Sequence, residues 1–151
     1  MSDVDNFLES LADRVRRHGV FGDVQVRSGR LRCDARDAAA PAWYAVESDG
    51  TDWVVSLSTA DRWLSESIET DLLHFGDPME ELIEEELVEL GGEGPVPPPK
   101  HYRADDRTYV FRNTVSGAGD REMALDRVAL WLLAYEAAFR NLGDMAGGDE
   151  A

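Results

Sequence analysis

The segment DREMALDRVALWLLAYEAAFRNLG, Asp120 to Gly143, constrains what this chain can become more than any other. Leu125, Val128, Leu132, Tyr135, Phe139 and Leu142 recur at spacings of three and four, the period of one helical face. Ala124, Trp131, Ala134 and Ala138 widen that face, and only Glu122, Asp126, Glu136 and Arg140 mark a wet side. Gly143 supplies a left-handed stop. A helix this apolar must be the spine of a core, or core and partner surface at once. Just ahead of it, HYRADDRTYVFRN holds two extended runs either side of the turn residues Asp105 and Asp106, which reads as a strand pair.

The remaining elements follow from the same signals. Asp3 to about His18 predicts a helix with Val4, Phe7, Leu8, Leu11 and Val15 on one face, basic residues at its end and Gly19 as its stop. DVQVRSGRLRCD predicts a hairpin turning at Ser28-Gly29, with Val26 opposite Leu31 and Val24 opposite Cys33 on its apolar face. Trp43–Glu47 and Asp52–Ser58, joined across Ser48-Asp49-Gly50, extend the hairpin into a four-run meander. The middle is helical. Ser58 with Asp61 has capping-box spacing ahead of Trp63, Leu64, Ile68, Leu72 and Phe75, and Gly76 breaks that helix. Asp77-Pro78, with Asp77 as cap, starts another helix that buries Met79, Leu82, Ile83, Leu87 and Leu90. The fold class expected is α+β: an antiparallel sheet, meander plus C-terminal strand pair, packed by N-terminal, central and long C-terminal helices. Residues 1–143 read as a single domain with a flexible Gly/Pro connector at 91–99, and residues 144–151 as a disordered acidic tail.

Charge narrows the function classes. The chain has 31 acids against 15 bases, a net charge of −16, which disfavours nonspecific binding to nucleic acid or to an anionic membrane. Its bases are 14 arginines and Lys100, a composition that a GC-rich genome or a salt-adapted cytoplasm would each produce. Arginines crowd Arg14–Arg36, and acids crowd Asp61–Glu93. The latter stretch places Glu80/Glu84, Glu81/Glu85 and Glu85/Glu89 at i,i+4, each pair costing roughly 0.2–0.5 kcal/mol in an isolated helix. A basic partner, salt or arginines of the same fold would relieve them. A lone cysteine, Cys33, excludes an intramolecular disulfide. The acidic N-terminal stretch does not read as a signal peptide, and no apolar run approaches the roughly 18 residues of a membrane span, so a cytoplasmic protein is expected.

Candidate chemistry is thin. Asp71-x-x-His74 has the spacing of a carboxylate–imidazole ligand pair, with Glu66 and Glu69 nearby, but a di-iron bundle needs two such pairs and further glutamates. A helix-end histidine is the better reading. The run Glu80, Glu81, Glu84, Glu85, Glu86 and Glu89 lacks the glycine-turn loop of a tight calcium site and reads as a solvated face. Gly117-Ala118-Gly119 before Asp120 lacks the lysine of a phosphate loop and reads as a turn. Cys33 alternates with Leu31 on the apolar face and reads as a buried thiol. No serine or cysteine stands in a nucleophile pattern. No catalytic residue, metal or cofactor is expected.

The order helix, meander, helical block, strand pair, long helix resembles the type III secretion chaperone-like fold, shared by small acidic secretion chaperones and YbjN-like regulators. The local likeness lies in DDRTYVFRNTVSGAGDREMALDRVALWLLAYEAAFRNL, Asp105–Leu142, where a strand with Tyr109 and Phe111 leads into a helix with Leu125, Val128, Leu132 and Tyr135. The resemblance implies a noncatalytic homodimer that cradles an extended segment of a partner protein. Trp131, Leu132, Tyr135 and Phe139 are then the expected partner surface. Two other classes compete: a small metal-dependent or otherwise enzymatic protein centred on Asp71, His74 and the glutamates, and an acidic nucleic-acid mimic.

Overall fold

The computed structural model describes residues 3–146. Helix α1 (Asp3–Arg16) is followed by strands β1 (Val24–Arg27), β2 (Arg30–Asp34), β3 (Ala42–Ser48) and β4 (Trp53–Thr59). Helices α2 (Arg62–Phe75) and α3 (Met79–Glu89) lead to β5 (Lys100–Arg103) and β6 (Tyr109–Val115), and α4 (Arg121–Phe139) precedes a short 3-10 turn, Gly143–Ala146. The six strands form one antiparallel sheet in the order β1-β2-β3-β4-β6-β5. The expected α+β class and the division into meander and C-terminal pair both hold.

The first hairpin folds in the expected register, Val24 opposite Cys33 and Val26 opposite Leu31. Its turn residues both take positive φ, 54° at Ser28 and 73° at Gly29, the geometry that matches the twist of paired strands. Two helix starts differ from expectation. Ser58 belongs to β4, and Asp61 alone caps α2 by accepting from the Leu64 amide at 2.8 Å. Pro78, not Asp77, occupies the cap position of α3, where no side chain bonds the first turn.

Helices α1, α2 and α4 lie against the sheet, and α3 packs on α4. Helix α1 covers β1 and β2, α4 covers β3, β4 and β6 and is itself flanked by α1 and α3, and α2 meets β4 and the 3-10 turn. Apolar around most of its circumference, with its exposed charges confined to the N-terminal turns, α4 sits in the middle of these layers. Trp131 is buried, and Leu132, Tyr135 and Phe139 are fully enclosed, so the expected partner surface is instead core. Tyr135 donates to Asn113 Oδ1 at 2.6 Å, and Asn113 Nδ2 donates to the Pro97 carbonyl at 2.9 Å. That relay, with buried Val96 donating its amide to Glu84 at 2.9 Å, pins the stretch expected to be a flexible connector. The expected tail also begins later. Asp144–Ala146 belong to the 3-10 turn, whose Met145 is buried and whose Gly143 amide is accepted by Asp71. The rest of the proposed tail, 147–151, lies outside the described residues. Gly143 stands at φ 52°, and a Cβ there would lie 2.4 Å from Ser67 Oγ, so close approach to α2 demands glycine. Among the described residues no helix is long and apolar enough to cross a membrane.

Candidate interaction surfaces

With the helices on one side, two exposed sites stand out among the described residues: a groove at one end of the helical layer and the uncovered face of the sheet. The groove encloses about 900 Å³ between α1 and the loop from β6 into α4. Its floor comes from residues far apart in sequence. Phe7 of α1 stacks on Trp53 of β4 with ring centroids 4.1 Å apart and planes at 13°, flanked by Val4 and Ala124. The rim is acidic: Asp3, Glu9 and Asp13 from α1 face Asp120 at the start of α4, with Arg121 the one base among the lining residues.

Several bonds hold this groove in shape. Arg121 Nη2 donates to Ser10 Oγ at 2.7 Å and to the Asn6 carbonyl at 3.4 Å, tying α4 to α1. Arg14 reaches Asp126 and, at 3.6 Å, Glu122 of the same helix. Arg127 donates to the carbonyls of Ser116 and Ala118 at 2.7 and 2.9 Å, which fixes the loop. Gly117 donates its amide to Asp52 at 2.9 Å, and a Cβ there would lie 2.6 Å from the Thr51 carbonyl. The Gly-Ala-Gly stretch is therefore a loop packed against the turn between β3 and β4.

The uncovered sheet face carries alternate residues of every strand. Cross-strand partners set out three rows: Gln25–Arg32–Ala45–Ser56–Arg112–Lys100, Arg27–Arg30–Glu47–Val54–Thr114, and Asp34–Trp43–Ser58–Val110–Tyr102. Ala45, Val54 and Val110 are buried although they lie outside the core. Long side chains shelter them: Arg32 lies over the Trp43 ring at 4.2 Å and Arg112 over the Tyr102 ring at 5.6 Å. Between these walls the floor is small and polar at Ser56 and Ser58.

The other candidates of the sequence are structural. Asp71 is engaged by the 3-10 turn, while His74 is exposed with its ring edge toward Phe75. Among the described residues no group of three His, Cys, Asp or Glu side chains converges to hold a metal ion. Cys33 is fully buried, and desolvation, with Asp34 beside it, pushes its thiol up to about 12. His101 stacks on Phe111 at 3.7 Å and sets Nε2 3.3 Å from Glu69, a link from β5 to α2. Of the groove, sequence reasoning placed Phe7 on the apolar face of a helix and Trp53 in a strand. Their meeting had no local signal, because 46 positions separate them. The one available hint was the acidic pair Glu9/Asp13, one turn apart beside the Phe7 stripe.

No family model, no curated protein and no solved structure matches this chain.

Proposed function

We propose that this is a noncatalytic protein-interaction domain, chaperone- or regulator-like, which docks a basic, partly apolar segment of a partner protein in the α1–α4 groove. The observation that carries the reading is the pairing of an aromatic floor, Phe7 on Trp53, with a rim of four carboxylates. Apolar side chains of the segment would settle on the rings, and its arginines or lysines would meet Asp3, Glu9, Asp13 and Asp120. Guanidinium groups also favour aromatic faces, by about 0.5–1 kcal/mol at exposed sites. The charge of the whole chain acts in the same direction, since a net −16 draws cationic segments in and speeds encounter. At about 900 Å³ the groove has the size of a ligand site, large enough for several side chains.

The same reading takes the working unit as a homodimer. Helix α2 offers the surface, because it leaves Trp63, Leu73 and Phe75 exposed at 73%, 85% and 55%. Sedimentation of Leu73→Glu should then give half the mass of the parent protein.

The docking claim is tested with a synthetic peptide alternating arginine and leucine, beside a counterpart carrying glutamate for arginine. Backbone-amide shifts on titration should be saturable for the first peptide alone and confined to Val4, Phe7, Trp53, Gly117 and Gly119. Trp53→Ala and the pair Asp3→Asn/Asp13→Asn should each weaken binding about tenfold, the equivalent of ~1.4 kcal/mol. Equal response to both peptides, or shifts centred elsewhere, would sink the assignment. A natural partner captured from the source cytosol should be lost with Trp53→Ala and kept with Arg17→Gln, whose side chain stands outside the groove.

A further inference from the structure

A second site, independent of the groove, is written into the register of the uncovered sheet face. Like charges stand directly opposite each other twice: Arg27 faces Arg30 at one flank and Lys100 faces Arg112 at the other. Directly opposed like charges weaken a sheet. They are also unexpected in a chain where 31 acids are available to neutralise 15 bases. Yet Arg27, Lys100 and Arg112 have no carboxylate within ion-pair distance among the described residues. Such breaks in local consistency concentrate at functional sites.

Arg112 borders a recess of about 120 Å³ whose floor includes Ser56 and Ser58. Neither hydroxyl has a hydrogen-bond partner among the described residues. Two carboxylates border the same recess, each engaged through one oxygen: Glu47 Oε2 by Arg30 at 3.1 Å, Asp106 Oδ1 by the Thr108 hydroxyl at 2.6 Å and amide at 3.1 Å. The donors left to meet an anion are one guanidinium and two hydroxyls, with the guanidinium held over the Tyr102 ring. The recess is far smaller than the roughly 300 Å³ at which ligand pockets begin, so only a compact group enters it.

We propose that Ser56, Ser58 and Arg112 form an oxyanion site for a phosphate monoester or inorganic phosphate. Three terminal oxygens would meet three donor groups, and the charge of the anion would offset the Lys100–Arg112 opposition. Arginine suits the role because its planar fork donates two parallel bonds to phosphate.

The test titrates the full chain with inorganic phosphate and, separately, with O-phosphoserine, against sodium chloride at equal ionic strength. Amide shifts at Ser56, Ser58 and Arg112 should saturate with either phosphate compound and not with chloride. Saturation with inorganic phosphate alone assigns the site to the free ion, and tighter binding of phosphoserine assigns it to an esterified group. Saturating phosphate should also raise Tm, as any ligand of the native state does. Arg112→Gln should abolish the shifts and the Tm rise while leaving Tm without phosphate equal or higher, because the like-charge opposition is gone. Ser56→Ala/Ser58→Ala should weaken binding about tenfold, and Arg17→Gln should leave it unchanged. An identical Tm rise in Arg112→Gln and parent, a chloride response of the same size, or no saturable shift would overturn the site.

Discussion

Tyr135 joins three elements at one buried point. Its ring packs in the core against Phe139, while its hydroxyl passes a hydrogen bond to Asn113, which in turn holds Pro97. Replacing it by phenylalanine keeps the packing and strips a buried acceptor of its donor, which costs about 1–3 kcal/mol. Tyr135→Phe should lower the urea midpoint accordingly, with Val96 amide protection falling more than that of β3. Cys33 makes a second prediction at this scale. Burial and Asp34 hold its thiol protonated, up to about 12, so the nucleophilic thiolate is scarce. Iodoacetamide at pH 8 should leave the folded chain unlabelled and modify it fully in denaturant. Cys33 was legible from alternation with Leu31 alone. The hydroxyl of Tyr135 was not, because nothing near it in sequence announces Asn113, 22 positions away.

Among elements, α4 decides the most. A strict one-sided stripe would have left part of it for a partner, but its flanking alanines and leucines let α1, α3 and the sheet close around it. Leu132→Ala should therefore cost about 2–5 kcal/mol in chemical denaturation, the range for a large core truncation. Trp131→Glu should abolish folding, read as loss of near-UV circular dichroism, because it buries an unpaired carboxylate. Turns were the most legible elements after the helices. Ser28-Gly29 and the Asp49–Asp52 turn fall where their residues predict, since a positive φ or an aspartate acceptor is a local demand. The Asp52 and Thr51 amides hold the Asp49 carboxyl below its ordinary value of 3.8. A depressed carboxyl stabilises the fold above its unfolded pKa and loses that contribution as pH falls through its folded value. Thermal melts of Asp49→Asn should accordingly lie below those of the parent at neutral pH, the gap closing as pH drops below 3.8. The cap of α3 was misread because a proline after an aspartate fits two frames one residue apart, and only three-dimensional packing selects between them.

For the whole molecule, the sequence made the layers plain and the surfaces obscure. Element order and apolar period dictate that helices cover a sheet, but which residues remain outside depends on how α4 is enclosed. That is why the expected surface at Trp131, Leu132, Tyr135 and Phe139 lies inside, and why the Phe7–Trp53 groove joins a helix face and a strand that are far apart in sequence. Net charge has its own consequence at this scale. With 31 acids against 15 bases, self-repulsion opposes the compact state and salt screens it. Tm should rise as sodium chloride is raised from low to physiological strength and then level off. A flat profile would mean that the arginines already offset the acids locally.

The place of α4 also bears on how the chain is made. Synthesis runs from the N-terminus, and a ribosome shields the last few dozen residues of its product. The strands up to β6 thus emerge before the helix that covers β3, β4 and β6 is free to dock. For that interval the apolar side of Tyr44, Val46, Val55, Leu57 and Phe111 has no cover from α4, and the nascent chain is at its stickiest. The fold is then completed in its last step, and a chain halted before residue 121 would be a substrate for quality control rather than a smaller working domain.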